Sequence, residues 1–144
     1  MKYKELGTSD LRISLAILIY ICAFSTQFLF AQDKPLPKSI VRGSIIYKAS
    51  CIGCHMVKGE GIVGLFPPLA KADYLDNTKK TIHAIKFGLE GEITVNNEVY
   101  DNMMPSANLS NQEIADVVNY IKNSWGNSSK GKAVTAKMVE AIKE

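Results

Sequence analysis

Two cysteines stand at 51 and 54 and a histidine follows the second at once: Cys51-Ile52-Gly53-Cys54-His55. This spacing brings two soft thiols and an imidazole within about one turn of chain, and few chemistries use all three. Covalent haem attachment does, because the two thiols reach the two vinyl edges of the macrocycle while the adjoining imidazole sits under the iron. Two other chemistries use part of the pattern. A thioredoxin-like redox pair is also Cys-x-x-Cys, but it follows a strand and opens a helix in a βαβ setting, which the flanking sequence does not offer. A structural zinc site needs a fourth ligand, and downstream of His55 the chain has one further histidine, His83, and no further cysteine. The pentapeptide favours haem over both.

Residues 1–31 read as an export leader. Lys2, Lys4 and Arg12 precede a nearly unbroken apolar run from Ile13 to Phe30, and small Ala31 then meets Gln32, the layout of a signal peptide cleaved near Ala31. The run is also long enough for an uncleaved membrane anchor over residues 13–30. Ser14, Ser25, Thr26 and Gln27 dilute it and favour cleavage, whereas Leu29 is bulky where a small residue is expected. Cys22 follows bulky Ile21 and lacks the small-residue context of a lipidated cysteine. Export ordinarily brings disulfides, yet beyond the leader the chain keeps only Cys51 and Cys54. Residues 32–144 hold 14 basic and 12 acidic side chains, a formal +2. Two haem propionates would cancel most of that, and the balance points to neither nucleic acid nor an acidic membrane surface.

The remainder has the composition of one globular domain, with 47% apolar and 22% charged residues in the whole chain. Residues 32–38 read as a linker. Ile40, Val41, Ile45, Ile46 and Tyr47 then recur at helical spacing, and Gly43, one turn before Tyr47, would let another helix approach closely. The glycine-rich stretch 58–64 is loop, and it runs into Phe66-Pro67-Pro68-Leu69. Asp76 or Asn77 caps a helix through Ile82, Ile85 and Phe87 that stops at Gly88. Ile93, Val95 and Val99 around Asn96-Asn97 suggest a small hairpin or irregular flap over 91–100. Ser110 with Glu113 forms a capping box, and Ile114, Val117, Val118, Ile121 and Trp125 predict a helix that ends at Gly126-Asn127. Residues 128–132 read as a flexible link to a short tail helix over Val134–Lys143, packed on the domain surface.

From about Ser39 to Asn127 the chain resembles the small mono-haem class I cytochromes c. The likeness rests on Gly43 and Tyr47 four apart ahead of Cys51, on the pentapeptide, on Pro67-Pro68-Leu69 as the family's Pro-x-Leu, and on Met104-Pro105 before the last helix. Each element alone is weak; their order and spacing are specific. The resemblance implies an all-α fold of three to five helices wrapped around one covalently bound haem c, over residues 39–127, with 128–144 as an extension. It also implies that the Pro67 carbonyl accepts the second imidazole N–H of His55. As in related mono-haem domains that accompany copper nitrite reductases and quinoprotein sugar dehydrogenases, residues 91–100 form an insertion between the middle helix and the methionine loop.

On this reading Cys51, Cys54, His55 and Met104 bind the cofactor, and His55 and Met104 ligate the iron. Met104 is preferred to Met103 because Pro105 holds the residue before it extended and the family's ligand directly precedes proline. His83, which would make a lower-potential bis-histidine haem, reads as a helix-surface residue among Lys79, Lys80 and Lys86. With both axial positions filled, the chemistry is transfer of one electron between exported, periplasmic redox partners met transiently, with no catalytic residue. Lys58, Lys71 and Lys86 are candidate orienting charges. The alternatives are an obligate haem subunit of a larger oxidoreductase and, if Met104 left the iron, a peroxide-reducing enzyme. A membrane enters only if the leader is retained. A domain of about ninety residues with long glycine and proline loops is near the size at which an apolar core alone is marginal. The chain without haem should therefore be loosely ordered at most, and a cooperative unfolding transition in haem-free protein would contradict this.

Overall fold

The computed structural model describes residues 35–144, together with Ile13, Ile17 and Tyr20, which lie in helical backbone. The leader, its cleavage site, Cys22 and residues 32–34 otherwise lie outside the described residues. Among the described residues no helix is long and apolar enough to cross a membrane.

Residues 35–144 form one compact unit with the order α1 (Pro35–Ser50), α2 (Ile52–His55), a turn of 3-10 helix (Asp73–Asp76), α3 (Thr78–Phe87), β1 (Ile93–Val95), β2 (Glu98–Tyr100), α4 (Asn111–Ile121) and α5 (Ala136–Glu140). The fold is helical apart from the antiparallel pair β1–β2, with Ile93 opposite Tyr100 and Val95 opposite Glu98. Asn96 and Asn97 both take positive φ, 51° and 66°, the type I′ geometry that matches strand twist. Asp73 and Asn96 exchange reciprocal bonds from backbone N–H to side-chain oxygen (2.8 and 3.0 Å), which pins the hairpin to the 3-10 turn.

α1 begins at Pro35, inside the stretch read as linker; the first turn of a helix leaves N–H groups without partners, so Pro35 and Pro37 cost it little. Its buried stripe also differs from the apolar pattern. Val41 and Ile45 are exposed, and the buried positions are Ser39, Gly43 and Tyr47. The reason is the crossing with α4: a Cβ on Gly43 would stand 2.0 Å from the Asp116 carbonyl oxygen and 2.7 Å from the Tyr120 Cβ. The two backbones touch there, and the stripe of α1 in line with that contact is the one that packs.

A polar network seals the crossing. Arg42 donates to Asp116 through Nε (2.5 Å) and Nη2 (2.7 Å), Ser39 donates to it at 2.6 Å, and Gln112 at 3.0 Å. Burial pushes the Asp116 pKa up, but these hydrogen bonds outweigh it and hold the carboxyl below its ordinary value. Next to it Asn119 donates to Ser39 and to the Val134 carbonyl (2.9 Å) and accepts from the Val134 N–H (2.7 Å).

α4 carries the capping box read from Ser110 and Glu113, and Asn77 caps α3 by accepting from Lys80 N–H. Two expectations fail nearby. α4 ends at Ile121 rather than at Gly126, because Ser124 and Asn123 side chains bond back to the carbonyls of Tyr120 and Asn119, and Asn127 to that of Ile121, offering the chain an alternative to the helix. Trp125 instead takes φ +52° and folds onto Tyr47 and Tyr120, ring centroids 4.9 and 5.3 Å away. The stretch read as a flexible link holds buried Ser129, bonded to Asn123, and the tail helix is shorter than the pattern suggested, at Ala136–Glu140 with Thr135 as its cap. Its Val139, with Val134, belongs to the hydrophobic core.

Gly43→Ala should cost the haem-loaded protein about 3 kcal/mol, as overpacking against an immovable backbone does, read as a lowered urea midpoint. Asp116→Asn should cost about 2 kcal/mol at neutral pH, the loss of hydrogen bonds to a charged group. Because the folded carboxyl titrates below its unfolded value, its contribution is complete above about pH 4 and fades as pH falls through the folded pKa; denaturation at stepped pH should find the variant's deficit shrinking in that acid range.

Candidate functional site

α1 delivers Cys51 to its end, where the Cys51 N–H bonds to the Tyr47 carbonyl (2.9 Å) and the short α2 turns His55 inward. His55 is buried, Cys51 half-buried and Cys54 exposed. The chain leaves His55 through Met56 at φ +65°, and the Tyr47 hydroxyl donates to the Met56 carbonyl (2.7 Å). Burial pushes the Tyr47 pKa far above the ordinary tyrosine value, so the hydroxyl keeps its proton for that bond.

The loop from Met56 to Ala70 folds back under His55. Gly61 N–H bonds to the His55 carbonyl (3.1 Å), Ile62 and Phe66 pair through both backbone groups (2.8 Å each), and the Gly59 carbonyl accepts from Leu69 and Ala70. Gly61 sits at φ +63°, and a Cβ there would stand 2.3 Å from the Phe66 carbonyl oxygen and 2.7 Å from that of Pro67. The close approach fixes the Pro67 carbonyl, which lies 2.9 Å from His55 Nδ1. A carbonyl only accepts, so Nδ1 carries the proton and Nε2 keeps a free lone pair. Burial lowers the His55 pKa against the opposing effect of that bond, which favours the neutral imidazole a metal requires.

Met104 is held on a second wall. It pairs with Leu89 through reciprocal backbone bonds of 2.9 Å, Ala107 N–H reaches the Ile85 carbonyl (3.0 Å), and Ser106 Oγ reaches the Lys86 carbonyl (2.8 Å). The methionine loop is thus stitched to the end of α3. Between the walls lie two adjoining hollows, which share His55, Pro67, Leu89, Ile93 and Met104. Cys51 lines the first and Cys54 the second. The other walls of the first are mostly apolar, with Leu69, Leu75, Ile85, Val95 and Ile121 among them.

The four predicted site residues therefore border one place in the fold, while the two rivals do not share it equally. Met103 is 67% exposed and lines only the outer hollow. His83 lines neither; its ring lies tilted against Phe87 at 5.0 Å and it faces a third, open hollow with Lys79 and Lys80 that borders the first at Tyr74, Leu89 and Ile93. Other chemistries for the cysteines fit poorly. Burial, then the proximity of Cys54, pushes the Cys51 thiol up to about 11, the reverse of the lowered pKa of a redox-active pair. Among the described residues the strands are a single hairpin, and no three His, Cys, Asp or Glu side chains gather as a metal site. An apolar slot with a neutral imidazole on one wall, a thioether on another and two thiols at its edge fits a haem.

Over residues 40–125 the sequence matches the cytochrome c family. The chain belongs to that family. Cytochrome c-552 of Thermus thermophilus is 39% identical over 108 residues, which cover 71% of this chain and 82% of that protein. The cytochrome c subunit of the quinone alcohol dehydrogenase of Gluconacetobacter polyoxogenes is 37% identical over 72% of this chain and 23% of its own length. The gluconate 2-dehydrogenase cytochrome c subunit of Pantoea cypripedii is 33% identical over 83% of this chain and 29% of its own length. Membership brings a covalently bound haem c and the role of an electron carrier rather than of an enzyme.

Sequence reasoning overlooked Gly61, Leu89 and Ser106, which hold the Pro67 carbonyl and the Met104 loop. Gly61 carried a signal, as one of three glycines within six residues; Leu89 and Ser106 act through backbone or short-range bonds that leave no pattern.

Proposed function

We propose that this cytochrome carries one electron at a time between exported redox proteins, using a single haem c attached through Cys51 and Cys54, with His55 and Met104 as axial ligands. The observation that carries this reading is the apolar slot bordered by His55, with Nδ1 committed to Pro67, and by the backbone-pinned Met104. The bound haem would supply a one-electron ferric/ferrous couple.

The chain's own residues do the rest. Cys51 and Cys54, as thioethers, make loss of the cofactor a covalent event. His55 presents Nε2 with its ring plane fixed, and its bond to Pro67 makes it a stronger donor. Met104 offers a soft thioether that favours the reduced state and raises the potential. With His55 on one wall and Met104 on the other to hold a bound haem's iron, these residues would leave no place for water or a substrate there, which is the property of a carrier.

Electron exit falls at the edge where Cys54 is exposed. Leu65 and Met103 line the hollow there and are 44% and 67% exposed, so the edge is apolar and suits brief contact with a partner. Lys58 and Lys71 stay available as orienting charges, whereas Lys86 is engaged with the tail. Residues 1–31 act as the signal peptide for export to the periplasm, with retention of 13–30 as an anchor the alternative. A second reading, an obligate subunit of a quinone-linked dehydrogenase, is favoured by the dehydrogenase subunits among the relatives; purification with a partner at fixed ratio would establish it.

Spectra of ferric protein made in a host with haem-attachment machinery test the ligand set. The weak far-red methionine-to-iron band should be present, abolished in Met104→Ala and kept in Met103→Ala. A spectrum indifferent to both would overturn the assignment.

A further inference from the structure

The match to the cytochrome c family ends at residue 125, yet the chain continues through a tail that is neither loose nor peripheral. Val139 is fully buried, Val134 nearly so, and Asn119 of α4 holds the Val134 backbone through both of its groups. The far end of the tail is held differently. Lys86 Nζ donates to the carbonyls of Val139 (3.0 Å) and Ile142 (2.8 Å); the Val139 carbonyl also accepts from the Ile142 N–H (3.2 Å), so the lysine caps the last turn of the tail helix and the residue just past it. The same residue's backbone carbonyl accepts from Ser106 Oγ, next to the Ile85–Ala107 and Leu89–Met104 bonds. Lys86 is thus joined at one end to the tail and at the other to the loop that carries Met104.

We propose that Lys86 is a positioning residue through which the C-terminal tail holds the Met104 loop closed over the haem. This rests on Met104 being the sixth ligand. The tail is anchored to α4, α4 to α1, and α1 runs directly into Cys51 and the short α2 that holds Cys54 and His55; Lys86 closes the ring by tying the opposite wall to the same frame. Breaking the tie lets α3's last turn and the loop stitched to it move away from the slot, so Met104 leaves the iron more readily and an added ligand takes its place more easily.

Titration of the ferric, full-length haem protein with imidazole reads this directly, because the added ligand must displace Met104. Lys86→Met, which keeps the length and loses the donor, should bind imidazole about tenfold more tightly, the scale of about one hydrogen bond from a charged group transmitted to the loop. Lys86→Arg should stay within about twofold of the unchanged protein. Should Lys86→Met not accumulate, amide hydrogen exchange on the unmodified protein decides: Met104 and Leu89 should open together with Ala141 and Ile142, and a tail that opens while the loop stays protected would overturn the tie. Unchanged affinity in Lys86→Met, with Met104→Ala binding tightly, overturns the tie alone. If Met104→Ala binds no better than the unchanged protein, the ligand assignment fails and the tie fails with it.

Discussion

Gly43 lets the backbone of α1 lie against Asp116 of α4, and the positions of the proposed haem contacts on the cysteine and histidine side follow from that approach. α1 seated there points its last turn, and with it Cys51 and His55, at the side of α4 where Ile121 closes the slot. Tyr47, one turn on from Gly43, packs against Tyr120 and Trp125 and ties off the Met56 carbonyl, so the chain leaves His55 in a fixed direction. That direction brings the glycine loop back beneath the imidazole and sets the Pro67 carbonyl against Nδ1. A side chain in place of the Gly43 hydrogen would push the two helices apart and detach these consequences from one another.

The second wall is built by different means. Met104 stands on a loop with no helix of its own, held by backbone bonds to the end of α3 and, through Lys86, connected with the tail. The histidine side rests on a rigid helix crossing and the methionine side on a set of hydrogen bonds. Exchange of an axial ligand, where it happens, is therefore expected on the Met104 side. The Asp116 cluster extends the frame of the first wall, since Ser39, Asp116 and Asn119 connect α1, α4 and Val134 without leaving a buried polar side chain unsatisfied among the described residues.

What was legible in the sequence was local or chemical. Cys51, Cys54 and His55 fall within five residues, the Ser110–Glu113 box spans one turn, Asn77 caps its own helix, and Asn96-Asn97 specify a turn by backbone preference alone. The Pro67 carbonyl beside His55 was to be expected only through resemblance, and Met104 as the proposed ligand through resemblance together with Pro105 after it, because a backbone carbonyl and a thioether have no periodicity. The reading failed where distant partners decide. The apolar spacing of Val41 and Ile45 marks α1 as a helix but not its buried face: both are exposed, and Ser39 and Gly43 are buried because Asp116 lies 77 residues from Ser39 in sequence and directly upon it in space. Trp125 continued the spacing of α4, but three polar side chains after Ile121 ended the helix first. Lys86 looked like a surface charge near the haem edge until the tail carbonyls, more than 50 residues on, claimed it.

Covalent attachment of one haem through Cys51 and Cys54 is read from the intact mass of the exported chain under denaturing conditions, beside Cys51→Ala, Cys54→Ala and the double variant. A mass greater by one haem should survive denaturation and disappear in the double variant. An unmodified polypeptide mass from a host that attaches haem to other proteins, or a haem retained without both cysteines, would contradict it.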